Sequence, residues 1–277
     1  MLVERILNEL KMYDRINANF TTWKHIQTKP AVYEDFPKCI ENKLINIIKE
    51  KGIKKLYSHQ ASVIELIKNG KNVVVVTPTA SGKTLCYNLP VLDSILKDEN
   101  SRAIYLFPTK ALSQDQLTEL YQLVSALDEG IKTYTYDGDT PSSARQAIRK
   151  KGHIVITNPD MLHLGILPHH TKWLELFRNL KYVVIDEIHI YRGVFGSHLA
   201  NVIRRLKRIC KFYGSNPQFI CCSATIANPL ELSQKIVGKD FVLVSNNGAP
   251  RGEKHFLFYN PPVINKELGI RKSLVLE

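Results

Sequence analysis

The sequence predicts an α/β fold in which a mostly parallel β-sheet lies between helices, preceded by a mainly helical N-terminal extension. Three observations predict it. From Lys71 onward, short β-branched runs alternate with helical patterns, the order that builds parallel sheets with crossover helices. Several of these runs are apolar at nearly every position, as strands covered on both faces must be. A loop of small and hydroxyl residues joins one run directly to an apolar-periodic helix, which sets free backbone N–H groups at a helix N-terminus.

Bulk properties narrow the classes. The 277 residues, 44% of them hydrophobic, suffice for one large core with a smaller appendage. A formal charge of +12 and a pI near 9.4 favour an anionic partner such as nucleic acid. The five cysteines form no CxxC pair, and Cys221 and Cys222 lie in an apolar run. They read as buried structural thiols of a reducing compartment, not as zinc ligands. Glu4 and Arg5 interrupt the only apolar stretch near the N-terminus, and no stretch has the roughly 18 consecutive apolar residues a membrane span needs. The expected location is the cytoplasm, with no membrane partner.

Residues 1–55 form the extension. Leu2, Val3, Ile6, Leu7 and Leu10 recur at helical spacing, and an irregular stretch follows from Asn17 to Phe36. A second helix is expected from Pro37, with Ile40, Leu44, Ile47 and Ile48 inward and Lys43, Lys49 and Glu50 outward, ended by Gly52. Residues 56–245 form the α/β domain, with strands expected at Val73 to Val76, Ala103 to Phe107, Ile131 to Tyr136, Ile154 to Thr157, Tyr182 to Ile185, Phe219 to Ser223 and Phe241 to Val244. Asn246 to Pro250 and the basic, Pro-rich sequence after it read as a linker over 246–277.

The loop Thr77-Pro78-Thr79-Ala80-Ser81-Gly82-Lys83-Thr84 sits between the strand Val73 to Val76 and a helix with Leu85, Leu89, Leu92 and Leu96. Its N–H groups, from Thr79 to Lys83, are placed to cradle phosphates. Lys83 would reach the β- and γ-phosphates, and the Thr84 hydroxyl would bind Mg²⁺. Thr77 stands where the usual phosphate-loop pattern begins with Gly. Asp186-Glu187-Ile188-His189 follows the strand Tyr182 to Ile185, so both carboxylates emerge at the strand C-termini, where open α/β sheets bind ligands. There Asp186 can hold Mg²⁺ and Glu187 can orient and deprotonate an attacking water; an acidic strand end capping a helix is the plainer alternative. Ser223-Ala224-Thr225 ends the next strand, where its hydroxyls are expected to bond His189 and the carboxylate pair.

With these motifs in this order, residues 55 to 245 resemble the DEAD/DEAH-box ATP-dependent helicases of superfamily 2. The resemblance implies a RecA-like phosphate-loop domain using ATP and Mg²⁺, with Lys83, Asp186, Glu187 and His189 at the catalytic centre and Ser223 and Thr225 coupling it to nucleic acid. Gln60, in Leu56-Tyr57-Ser58-His59-Gln60, matches the segment whose Gln contacts adenine. Pro108-Thr109-Lys110 and Thr157-Asn158-Pro159-Asp160, both at strand ends before helices, match segments that grip the nucleic-acid backbone, and Gly138 in Tyr136-Asp137-Gly138-Asp139-Thr140 joins the same track. Hydroxyls of Thr109 and Thr157 and the Lys110 charge would meet phosphate oxygens there; ordinary helix caps also favour these residues.

The stretch Asp186 to His198, with Tyr136 to Thr140 and Gly252-Glu253-Lys254-His255-Phe256, is similar to the mitomycin-repair DNA helicases of the MrfA type and their fungal relatives. That likeness implies 3′-to-5′ movement on single-stranded DNA, a role in repair, and a second RecA-like domain and a four-cysteine zinc domain not contained in these 277 residues. An arginine finger from a second domain contributes about 10³ to 10⁵ in rate, so the chain alone is expected to bind nucleotide weakly, turn it over very slowly and unwind nothing. An RNA helicase, a nucleotide-gated binding module and the motor of a nuclease complex stay open as alternatives, as does the oligomeric state. One basic face is left over: Arg204, Arg205, Lys207, Arg208 and Lys211 lie opposite the stripe Val202, Ile203, Leu206, Ile209 and Cys210, the usual mark of a solvated helix face.

Overall fold

A computed structural model describes residues 2–13 and 17–273. The Leu2 side chain of the expected N-terminal stripe and the last residues of the expected linker, 274–277, lie outside the described residues. The chain forms two compact units, Met1–Ala31 with Pro250–Glu277, and Val32–Ala249.

The larger unit is built on a seven-stranded sheet. Its strands are β4 (Val73–Val76), β5 (Arg102–Leu106), β6 (Thr133–Thr135), β7 (Ile154–Thr157), β8 (Leu180–Ile185), β9 (Gln218–Ser223) and β10 (Val242–Val244). All neighbours pair in parallel, in the order β10-β4-β9-β8-β5-β7-β6. Successive residues of β4 and β5 are buried although they point to opposite faces, because both faces carry a core. One core holds Val73, Val75, Tyr105 and Ile156, the other Val74, Ile104, Val155 and Val183. That double burial is why these strands read as continuous apolar runs.

Helices fill the crossovers. They include α4 (Lys83–Lys97), α5 (Lys110–Leu127), α6 (Ser142–Lys151), α7 (Gly193–Phe212) and α8 (Pro229–Val237). On α7, Leu199, Val202, Ile203, Leu206 and Cys210 are buried and the basic residues face outward or sideways, the amphipathic division expected from the sequence. Ahead of the sheet lie β2 (Tyr33–Glu34), α2 (Asn42–Glu50), β3 (Leu56–Tyr57) and α3 (Ser58–Lys68). The fully buried Asp93 carboxylate on α4 fastens them: it accepts from the Glu41 backbone N–H at the start of α2 (2.8 Å) and pairs with Lys68 of α3 and with Lys97 (3.0 Å). An acidic side chain without exposure needs such partners to offset its desolvation.

The smaller unit contains α1 (Leu2–Met12) and β1 (Phe20–Ile26), which pairs antiparallel with β11 (Lys254–Tyr259). Phe20 packs edge-on against Trp23 and Tyr259, with ring centroids 5.9 and 5.6 Å apart. A short hairpin, β12 (Val263–Asn265) with β13 (Ile270–Arg271), follows.

Three expectations are corrected here. The stretch Asn17 to Phe36 is not irregular throughout, since β1 and β2 lie in it; their partners, β11 and β3, are remote or too short to show periodicity. The helix expected from Pro37 begins at Asn42, with Ile40 buried ahead of it. The division at 55 with a linker from 246 also differs: residues 32–55 belong to the larger unit, and Gly248 packs there. The Val32 N–H donates to the Gly248 carbonyl (2.8 Å), and a Cβ at Gly248 would lie 2.3 Å from Ser58 Oγ. Among the described residues no helix is long and apolar enough to cross a membrane, and all five cysteines are free thiols, four of them buried.

Candidate nucleotide and nucleic-acid site

The C-terminal ends of the strands set the site residues side by side. Val76 of β4 pairs with Ser223 of β9, Cys221 with Ile185 of β8, Ile185 with Leu106 of β5, and Leu106 with Thr157 of β7. Along one edge the order is therefore the phosphate loop, Ser223 to Thr225, Asp186 to His189, Phe107 to Lys110, Thr157 to Asp160, and Tyr136 to Thr140. Segments up to 147 residues apart in sequence become neighbours because a parallel sheet collects all its strand ends on one edge.

In the loop, Thr77 is buried and its Oγ1 lies 2.6 Å from Ser81 Oγ. The threonine at this position thus makes a bond a glycine could not. The left-handed turns fall instead at Ala80 (φ 60°) and Gly82 (φ 78°). Gly82 is constrained doubly, since a Cβ there would lie 2.5 Å from Gln60 Nε2. Thr79 and Ala80 are exposed at the loop tip. Lys83 folds back to donate to the Thr77 and Pro78 carbonyls (3.0 and 3.1 Å), holding its charge beside the loop. Gln60 uses both ends of its amide: Oε1 accepts from the Tyr57 N–H and Nε2 donates to the Gly82 carbonyl, each at 2.9 Å. A cavity of about 640 Å³ opens next to it, lined by Tyr33, Lys54, Lys55, Tyr57 and Leu85. Tyr33 and Tyr57 stack at 5.4 Å, a pairing set by the β2–β3 bridge and invisible in sequence spacing.

Asp186 is nearly enclosed. Its Oδ1 accepts from the Glu187 N–H (2.8 Å) and its Oδ2 from the Tyr87 hydroxyl (3.2 Å). Burial pushes its pKa up from 3.8 to about 6, a shift that the Glu187 N–H hydrogen bond opposes. Its hard carboxylate oxygens, buried so that ionisation is disfavoured, would suit a divalent cation, with the Thr84 hydroxyl as a further oxygen donor. Glu187 takes a left-handed backbone (φ 50°), and its carboxylate lies 3.1 Å from His189 Nδ1. The same nitrogen lies 3.3 Å from the Ala224 N–H. With a hydrogen on Nδ1, His189 donates to Glu187; with Nδ1 bare, it accepts from the Ala224 N–H. The expected contact through the Ser223 and Thr225 hydroxyls is corrected: Ser223 Oγ donates to the Ala224 carbonyl (2.7 Å), and the backbone N–H makes the link to His189.

On the other half of the edge, Thr109 and Asn158 are both helix N-caps, accepting from Leu112 N–H (3.4 Å) and Met161 N–H (2.8 Å). Cap and phosphate contact are compatible, since the Lys110 and Ala111 N–H groups after Thr109 and the Asp160 N–H after Asn158 have no intrahelical acceptor. Lys110 is exposed and pairs with Asp139 at 2.6 Å. Pro108 is half-buried beside them, and Gly138 is exposed, its carbonyl accepting weakly from Arg145 (3.4 Å). Thr157 departs from expectation: its hydroxyl is buried and donates to the Tyr136 carbonyl at 2.6 Å, so it ties β7 to the segment after β6 and offers phosphate nothing. Asp160 is exposed, 3.3 Å from His198 Nε2.

Elsewhere, the ligand atoms of His25, Glu253 and His255 in the smaller unit lie within 4.8 Å of one another, a spacing that a metal ion could bridge. The Trp23 indole N–H donates to His255 Nδ1 (3.1 Å), which puts the imidazole proton on Nε2, facing Glu253 Oε1 at 2.9 Å. A metal on that Nε2 would leave two N–H groups facing each other, so the cluster fits a proton better than an ion.

Residues 57–232 match the DEAD/DEAH box helicase family. The chain is 58% identical over 274 residues to the uncharacterized ATP-dependent helicase YprA of Bacillus subtilis, covering 99% of this chain and 37% of that one. It is 40% identical to the ATP-dependent helicase hrq1 of Schizosaccharomyces pombe, covering 95% and 25%. The crystal structure of the DUF1998 helicase MrfA bound to DNA and AMPPNP superposes with a TM-score of 0.93 at 57% identity, over 98% of this chain and 37% of that one. The chain thus spans well under half the length of these relatives. With its motifs ordered along one sheet edge and the family match covering most of the α/β unit, the chain belongs to the DEAD/DEAH box helicases.

Proposed function

We propose that the chain is the first RecA-like half of an ATP-driven motor that moves on single-stranded DNA, 3′ to 5′, as a helicase acting in DNA repair in the cytoplasm. The observation that carries this reading is the edge order: phosphate loop, coupling strand, acidic pair and backbone-gripping segments are consecutive neighbours. Hydrolysis in one half can therefore shift the grip in the other through β9 and β8. The likeness to a helicase bound to DNA and a nucleotide analogue supports the same partners here, ATP and DNA.

In this reading Lys83 leaves the Thr77 and Pro78 carbonyls for the β- and γ-phosphates, and the loop N–H groups hold the phosphate oxygens. Thr84 and Asp186 would hold Mg²⁺, which neutralises charge on the transferred phosphoryl group. Glu187, aimed by its left-handed backbone and by His189, orients the attacking water and takes its proton. His189 then reports through the Ala224 N–H to the strand β9, beside Ser223 and Thr225. Gln60, already bonded to the phosphate loop through Gly82, links adenine recognition in the neighbouring cavity to loop geometry. The free first-turn N–H groups after Thr109 and Asn158, with Lys110 and Gly138, hold backbone phosphates without reading sequence. A second RecA-like domain completes the cleft and supplies the arginine finger.

ATP hydrolysis by the protein, with Glu187→Gln as control, is measured with single-stranded DNA, duplex DNA or single-stranded RNA. Strong stimulation by single-stranded DNA that vanishes in the variant is the expected result. Stimulation by RNA alone moves the chain to RNA translocation, and no stimulation by any strand overturns the motor reading.

A further inference from the structure

We infer that the groove along α7 is a second nucleic-acid site, which takes the phosphate backbone of the strand not held at the sheet edge. The inference takes its nucleic-acid partner from the proposed motor but needs none of its catalysis. The groove, about 730 Å³, is lined by His163, His198, Arg204, Arg205, Arg208 and Lys211. The helix behind it, Gly193–Phe212, contains no acidic residue.

Its cations divide into two sets. Arg205 contacts the His163 carbonyl (3.5 Å) and ring (3.4 Å), and Lys207 donates to the Val237 and Gly238 carbonyls (the latter at 3.3 Å), closing the C-terminal end of α8. These two hold the groove's walls. Arg204, Arg208 and Lys211 are exposed and have no carboxylate partner among the described residues. Arg204 and Arg208, like Lys207 and Lys211, stand four apart on the helix, where like charges repel. A surface kept only for solubility would intersperse acids to relieve that repulsion; an uninterrupted positive row fits a polyanion. Two of these three cations are arginines, whose planar fork matches phosphate oxygens in pairs; Arg204 has only a long hydrogen bond from Nε to the Ala200 carbonyl (3.5 Å).

Direction identifies the occupant. Because β8 and β9 are parallel neighbours joined by α7, α7 runs back from the ligand-binding edge toward the opposite one. The groove starts where His198 meets Asp160, next to the gripping segment after β7. It continues over the residues from His198 to Lys211, about 20 Å at 1.5 Å per residue. A strand lying across the strand ends follows the edge; one lying in the groove leaves that edge and descends the face. The two paths diverge at Asp160, as the two strands of an opening duplex do.

The test uses the 277-residue chain with Arg204→Gln, Arg208→Gln and Lys211→Gln combined, exposed changes that leave the buried stripe of α7 intact; melting temperature verifies the fold. Affinity is measured over a salt series for a short single-stranded oligonucleotide, a forked duplex and poly-glutamate. The expected result is at least about a tenfold loss for the fork and a log–log salt slope lower by about 2 to 3, with the oligonucleotide unaffected. Unchanged fork affinity and slope overturn the inference. Equal losses on fork and oligonucleotide also overturn it, assigning the groove to the tracked strand, as does loss of poly-glutamate binding alone, which assigns it to an acidic polypeptide. A parallel Lys110→Ala chain separates the two readings. If only that variant weakens binding, the edge track stands and the groove falls; if neither variant changes anything, both fall.

Discussion

The two halves of the sheet edge hold their polar groups in opposite ways. Around the phosphate loop, Asp186, Ser81 and Thr77 are buried, Thr77 and Ser81 are bonded to each other and Asp186 to Tyr87 and the Glu187 N–H, and Lys83 is folded onto loop carbonyls. Around Thr109 and Asn158, one cap is exposed and the other half-buried, and the exposed Lys110 pairs with a neighbouring Asp139 on the surface. Chemistry on a phosphoryl group needs dipoles fixed before the reaction, in a site that excludes water. Holding a strand that must be released again is better served by exposed, replaceable contacts whose strength salt can tune.

The sharpest break of that contrast is Lys83→Ala. Removing the cation that reaches the phosphates should lower turnover by at least about 10² to 10³-fold, and ATPase at the normal rate would sink the site assignment. Next is Asp186→Asn, read by thermal or denaturant unfolding without nucleotide. The folded carboxyl holds its proton up to about pH 6 whereas the ordinary value is 3.8. Stability is therefore full below about pH 4 and declines as pH rises through 6, because the unfolded chain ionises first. The substitution should remove that decline and stabilise the apo protein at neutral pH by on the order of 2 kcal/mol, while abolishing cation-dependent turnover. A variant less stable than the parent at neutral pH would show that Asp186 is not destabilised by burial.

On the gripping half, Thr157→Val should cost about 1 to 2 kcal/mol of stability by leaving the Tyr136 carbonyl without its donor, with the salt slope for single strands unchanged. A lower slope would return the hydroxyl to the phosphate track. Lys110→Ala has the smallest expected effect, a few-fold weaker single-strand binding and a slope lower by about 0.7, because a surface pair with Asp139 must already be exchanged for phosphate.

How much of this was legible depends on where the information lies. The strands β4, β7 and β8 could be read from the apolar runs Val73–Val76, Ile154–Ile156 and Tyr182–Ile185, because burial on both faces leaves no alternating polar positions there. The strand β1 could not: its exposure pattern is uneven and its partner β11 lies more than 200 residues away, so no local period marks it. Asp186 and Glu187 were legible as a pair after a strand, yet their separate fates were not. One is buried with a raised pKa; the other, turned by a left-handed backbone, faces His189. Thr157 shows the same limit: both threonines lie where a strand gives way to a helix, but Thr109 is an exposed helix cap whereas Thr157 is the last strand residue, its hydroxyl buried against the Tyr136 carbonyl.

The sequence by itself determined the kind of sheet, the phosphate loop, the acidic pair and the basic stripe of α7, since each depends on neighbours within a few residues. Only the tertiary structure decided which strand ends lie together, that Gln60 braces Gly82, that the Ala224 backbone rather than a hydroxyl meets His189, and that the chain from Lys254 returns to pair with Phe20–Ile26. Those outcomes depend on strand order and register, which follow from burying whole faces of a sheet at once and have no signature in any short stretch of chain.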